Sequence, residues 1–111
     1  MGVNDTATKL ANEIKNSKEY KSFKKNMAEI KNDKECEKLL TDYRKAQVQI
    51  QNFAMRNQQL DKRTMSKIDI IQKKVYSNKK LCDYLNSEQK FTTMMNNINK
   101  ILAQAVEKDY K

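Results

Sequence analysis

The sequence predicts an all-α fold, an elongated antiparallel helical hairpin or bundle with two long helices, at about 33–56 and 87–108, shorter helices beside them, and self-association. Three observations lead there. Proline is absent and the single glycine is Gly2, so an antiparallel sheet would have to be built without the residues its hairpin turns require. Apolar residues recur at spacings of three and four over long windows. The balance of 38% hydrophobic to 33% charged residues supplies enough apolar stripes for a thin helical protein but few for a thick globule.

The elements follow in chain order. Leu10, Ala11 and Ile14 mark a first helical face, and Tyr20, Phe23, Met27 and Ile30 mark a second. Asn16 with Glu19 forms a candidate capping box between them. Whether 5–31 is one kinked helix or two is open on this pattern. The stretch Gln47-Val48-Gln49-Ile50-Gln51 alternates polar and apolar as a strand would, but the longer window decides it. Cys36, Leu39, Leu40, Tyr43, Ala46, Ile50, Phe53 and Ala54 form one helical stripe, on a helix of about 24 residues and roughly 36 Å. Asn32 with Glu35 reads as its capping box, and Asn57 as its left-handed terminator in place of glycine.

A further helix over 61–76 opens at Asp61, with Leu60 and Met65 placed as a hydrophobic staple. Met65, Ile68, Ile71 and Val75 make its inner face. The link back to the preceding helix is short enough to force an antiparallel hairpin. Leu81, Cys82, Tyr84 and Leu85 suggest a short helix, and Asn86 or Ser87 a cap for the C-terminal one. Phe91, Met94, Met95, Ile98, Ile101, Leu102, Ala105 and Val106 give that last helix its amphipathic stripe.

With no repeat and no linker, 1–111 reads as a single helical domain. Helices of about 35 Å exceed the ~13 Å radius of gyration of a compact 100-residue domain. They should leave apolar stripe uncovered, and a second copy is the natural cover, so a homodimer or higher oligomer is expected. No signal-like apolar segment opens the chain and no window is apolar enough to span a membrane, which points to a cytoplasmic protein without a membrane partner. Met1-Gly2 with Thr6 matches the loose myristoylation pattern, which is too short to carry weight. Cys36 and Cys82, far apart and outside any C-x-x-C pair, read as reduced thiols.

The absence of histidine excludes Ser/His, Cys/His and His–metal chemistry, and no glycine loop exists to cradle phosphate. The sequence therefore predicts no enzyme, no catalytic residue, no metal ligand and no cofactor. Arg44, Gln47 and Gln51, at i, i+3 and i+7, form a polar stripe beside the apolar one and are the candidate protein-binding residues. The net charge of +9 is concentrated in 56–80, where eight basic residues face two acidic ones for +6. Arg63, Lys67 and Lys74 fall together on an outer helical face and are the candidate nucleic-acid contacts. Lysine rather than arginine dominates and aromatic residues are not interleaved, so a solvated face is the preferred reading, and direct RNA binding through 56–80 the alternative.

Tyr43-Arg44-Lys45-Ala46-Gln47, the turn at Asn57, the opening LANEIKNSKEYKSFK and the closing SEQKFTTMMNNINKIL together resemble the YlbF/YmcA/YheA-like family of small bacterial helical proteins, over roughly residues 5–108. The likeness is closest to the YheA-like branch, whose members are largely of unassigned function. The resemblance implies an oligomeric all-α bundle and a non-catalytic role. For the better-studied branch it implies regulation through protein contacts in RNA maturation and in competence, biofilm or sporulation. Those relatives carry cysteines linked to iron–sulfur binding, some near the C-terminus, whereas this chain ends AQAVEKDYK. Where the family usually has glycine after the long helix, Asn57 stands here.

Overall fold

The computed structural model describes residues 2–107, and every element in them is an α-helix. The helices are α1 (Val3–Lys15), α2 (Lys18–Lys31), α3 (Lys34–Met55), α4 (Lys62–Tyr76) and α5 (Lys79–Glu107). The alternating glutamine segment lies inside α3. The question left open over 5–31 resolves as two helices.

Both breaks in the first third fall one residue later than the capping-box reading places them. The Asn16 amide still donates to the Asn12 carbonyl, and the Asn32 amide to the Ala28 carbonyl, so each asparagine closes the preceding helix. The next residue opens the new one. Ser17 Oγ accepts from the Tyr20 amide at 3.2 Å, and Asp33 Oδ1 from the Cys36 amide at 3.2 Å. Each satisfies one of the donors that a helix start leaves without a partner.

Helix α3 ends as expected at Asn57, which has φ 54°, the left-handed region. The Gln58 amide donates to the Phe53 carbonyl at 2.9 Å and the Asn57 amide to the Ala54 carbonyl at 3.1 Å. These are the two bonds of a Schellman motif, which an asparagine supports because its short polar side chain tolerates this backbone better than most. After the turn, Asp61 is the N-cap of α4.

The C-terminal helix starts two turns earlier than the expected residue 87, and it absorbs the short helix expected over 81–85. Its cap is Asn78, whose Oδ1 accepts from the Leu81 amide at 3.1 Å. Nothing in 79–107 breaks a helix, so Asn86 and Ser87 are interior positions. Residue 108, the expected end, lies outside the described residues.

By its internal contacts the chain divides into two compact units, and α2 and α5 contribute to both. The unit of residues 27–84 contains the α3–α4 hairpin. Its helices are antiparallel, because the start of α3 meets the link between α4 and α5, Asn78 Nδ2 donating to Cys36 Sγ at 3.3 Å. At the other end, Ile50 of α3 lies with Met65 and Ile68 of α4. Among the described residues, this unit holds all the buried apolar side chains: Ile30, Cys36, Tyr43, Ala46, Ile68, Val75, Leu81 and Tyr84. Val75 and Leu81 have no exposed surface. Both cysteines are free thiols; Cys36 is buried, and the half-buried Cys82 donates to the carbonyls of Val75 and Tyr76.

The second unit comprises residues 1–26 and 85–111, of which 2–26 and 85–107 are described. Its centre is aromatic. Phe23 and Phe91 stack with centroids 5.3 Å apart and planes 4° from parallel, and Tyr20 meets Phe91 at 5.7 Å. Asn26 Nδ2 donates to the buried Ser87 hydroxyl at 3.1 Å. No apolar residue described in this unit is fully buried, and α1 has no buried residue at all.

A candidate protein-interaction surface

The three predicted partner-binding residues lie on α3, and all three are exposed. They do not stand alone. Arg44, Val48, Gln51 and Met55 follow one another at intervals of four, three and four, which puts them in one row along the helix. Val48 and Met55 are 55% and 77% exposed, so the row alternates polar and apolar groups facing water. Gln47 flanks it.

Arg44 is held in place at the head of this row. Its Nη2 donates to the Tyr84 hydroxyl at 3.2 Å, and its guanidinium carbon sits 6.0 Å from the Tyr84 ring centroid. That combination of a hydrogen bond and a cation–π contact reduces the side-chain freedom that a partner would otherwise have to remove. Tyr84 is itself buried. Val48, Met55 and Tyr84 were not among the candidate site residues that the sequence offered. Val48 and Met55 were visible in principle as an i, i+7 apolar pair off the core stripe, whereas nothing local marks Tyr84 as a partner of Arg44, forty residues away.

The other candidate set, Arg63, Lys67 and Lys74, is brought together on α4, all exposed. Ile70, 55% exposed, lies among them on the same face. Lys73 pairs with Asp69 at 3.2 Å, one turn away. The Asp61 carboxyl is held below its ordinary value, chiefly by the Thr64 hydroxyl beside it, although its side chain closes no cap bond to the helix backbone.

Between the C-terminal end of α3 and the N-terminal half of α4 lies an open cavity of about 450 Å³. Ile50, Leu60, Met65 and Ile68 supply its apolar lining, and Ser66, Asp69 and Gln72 its polar edge. Leu60 and Met65, the expected staple pair, both line it. Among the described residues, no group of three His, Cys, Asp or Glu side chains is placed to hold a metal ion. None of the described helices is long and apolar enough to cross a membrane.

A small all-helical protein with a short-linked antiparallel hairpin, its outer rows exposed, is a class with solved members. A computed family description, "Control of competence regulator ComK, YlbF/YmcA", matches residues 3–107. The chain belongs to the YlbF/YmcA family. A UPF0342 protein of Clostridium novyi is 32% identical over 110 residues, covering 99% of this chain and 96% of the relative. One from Halothermothrix orenii is 31% identical, covering 96% and 91%. Two solved structures share the fold. The DUF964 protein of unknown function from Bacillus stearothermophilus has a TM-score of 0.75 at 16% identity, covering 98% of this chain and 96% of that one. A chain of the crystal structure of Bacillus subtilis RicA in complex with RicF has a TM-score of 0.67 at 17% identity with the same coverage.

Proposed function

We propose that the protein is a non-catalytic, self-associating regulatory scaffold that presents the α3 row of Arg44, Val48, Gln51 and Met55, with Gln47 beside it, to another protein. One observation carries this reading: two large apolar side chains alternate with a pre-positioned arginine and a glutamine along a single exposed helical row. Such a mixed row suits a partner helix, with apolar contacts for affinity and polar ones for register. The family's link to control of competence, and the structure of RicA with RicF, support a regulatory role exerted through protein contacts. An RNA-maturation or developmental complex in the cytoplasm is the setting that the family resemblance favours.

Self-association is supported by the unit of residues 1–26 and 85–111. It buries no described apolar residue fully, while Val3, Ile101, Leu102 and Val106 are between 55% and 86% exposed. A second copy would cover such faces.

The test is a photo-crosslinking residue placed at Val48 in the source cell. Crosslinks to a distinct protein, lost in Arg44→Ala combined with Met55→Glu, are expected. Crosslinks to this chain alone would overturn the proposed outside partner. RNA binding through 56–80 is less favoured because Ile70 interrupts the basic face of α4 with an exposed apolar side chain.

A further inference from the structure

The outer face of α4 holds charge that the hairpin does not use. Arg63, Lys67, Ile70 and Lys74 follow one another at intervals of four, three and four, so they form one row along the helix, and all four are exposed. At the rise of an α-helix the row is about 16 Å long. It is turned away from Ile68 and Val75, the buried residues of this helix. Neither nearby carboxylate neutralises it. Asp69, two residues from Lys67, projects from the other side of the helix and pairs with Lys73 at 3.2 Å. Asp61, before the helix, has Thr64 as its first partner, and the charge of Lys67 is the smallest influence on it. Among the described residues, no salt bridge engages Arg63, Lys67 or Lys74. Like charges one turn apart, as at Arg63 and Lys67, work against the helix that bears them, and an anion set against both relieves that repulsion.

Ile70 selects among anions. It is 55% exposed and stands between Lys67 and Lys74 in the row. A nucleic acid backbone offers phosphates but nothing that would cover this aliphatic side chain, and the row holds no aromatic ring for a base to stack on. A membrane surface would meet one apolar side chain where an interfacial helix presents a whole apolar face. A second copy has no matching acidic row: Asp5 and Glu13 on α1 share theirs with Lys9, and Glu35 and Asp42 on α3 share theirs with Lys38. A helix of another protein can supply both features, because carboxylates at these intervals flank an apolar residue on one face.

We propose that the outer face of α4 is a second docking surface, which binds an acidic helix of a partner protein. That helix packs an apolar side chain on Ile70 and sets its carboxylates against Arg63, Lys67 and Lys74, a complementarity of charge that fixes register and excludes basic partners. This rests on the scaffold reading above and adds to it a surface apart from the α3 row and the chemistry of its partner.

The experiment titrates the full chain into two fluorescein-labelled 18-residue helical peptides by anisotropy. Each has one leucine with three charged residues around it at the intervals of the α4 row, glutamate in one peptide and lysine in the other. The acidic peptide is expected to bind at least tenfold more tightly than the basic one, and to weaken as salt rises from 50 to 300 mM. Arg63→Glu with Lys67→Glu should weaken it tenfold or more. Lys38→Glu with Lys45→Glu, the same change of net charge at exposed positions of α3, should leave it within threefold. Ile70→Ser, which keeps every charge, should weaken it about fivefold. Circular dichroism confirms that the variants fold. Equal binding of the two peptides, equal loss in the α3 and α4 charge variants, no effect of Ile70→Ser, or displacement of the acidic peptide by a lower concentration of a 20-nucleotide single-stranded RNA than of unlabelled peptide would each overturn the proposal. Failure here with partner crosslinks retained at Val48 would remove this surface and leave the scaffold reading standing.

Discussion

At the scale of single residues, two side chains decide where helices stop and start. Asn57 occupies a backbone region that costs most L-residues about 1–2 kcal/mol and glycine nothing. Asn57→Gly should leave stability unchanged or raised, and Asn57→Ala should lower it by about 1 kcal/mol, as read from denaturant midpoints. Asp33 has two partners, the Cys36 amide and the Lys80 ammonium at 3.1 Å. The amide bond, first, and the Lys80 contact hold its carboxyl below the ordinary value of 3.8, and the pairing raises Lys80 above 10.5. A carboxyl whose folded value is depressed stabilises the fold fully above its unfolded value and ceases to do so as pH falls through the folded one. Lys80 behaves in the opposite sense, its contribution complete below its unfolded value and disappearing as pH rises through the folded one. The contribution of this pair is thus flat through neutral pH. Asp33→Asn keeps a cap acceptor, so it should flatten the loss of stability below pH 4 while sparing α3, a comparison that urea titrations at pH 3 and 7 provide.

At the scale of elements, the first turn of α5 is the critical one. Leu81 has no exposed surface and packs within the unit of residues 27–84, directly after the Asn78 cap. Leu81→Ala should cost about 2–5 kcal/mol, from lost apolar burial and the cavity left behind. The exposed Leu102→Ala should cost well under 1 kcal/mol to an isolated chain. The sequence carried the helix count of the hairpin, the terminator at Asn57 and, of the expected inner face of α4, the buried Ile68 and Val75, because each is written in local spacing; Met65, expected on that face, is 55% exposed. It placed two caps a residue early because Asn32-Asp33 and Asn16-Ser17 each offer two capping side chains in succession. Only the amide of the first residue, still bonded backward, settles which one opens the helix. The expected break at Asn86-Ser87 is missing for a related reason: the polarity that suggests a cap is instead spent on a tertiary bond, Asn26 to Ser87. Of the candidate site, the polar half was legible as Arg44, Gln47 and Gln51. The anchoring of Arg44 by Tyr84 was not, since it joins residues that only folding brings together.

At the scale of the whole molecule, the apolar side chains left in water set the expected behaviour in solution. A chain that self-associates through them should show a mass of at least two copies by light scattering at micromolar concentration, and a melting temperature that rises with protein concentration. Replacing Ile101 and Leu102 by glutamate should lower that mass without loss of helical signal. A concentration-independent monomer would refute self-association. Cys36, 3% exposed and accepting from Asn78, adds a built-in clock. A small alkylating reagent reaches that sulfur only when the start of α3 parts from the junction between α4 and α5, whereas the half-buried Cys82 reacts sooner. The two alkylation rates, read by mass spectrometry on unmodified protein, therefore time how often this molecule breathes open, and a bound partner that slows the first but not the second reveals where it grips.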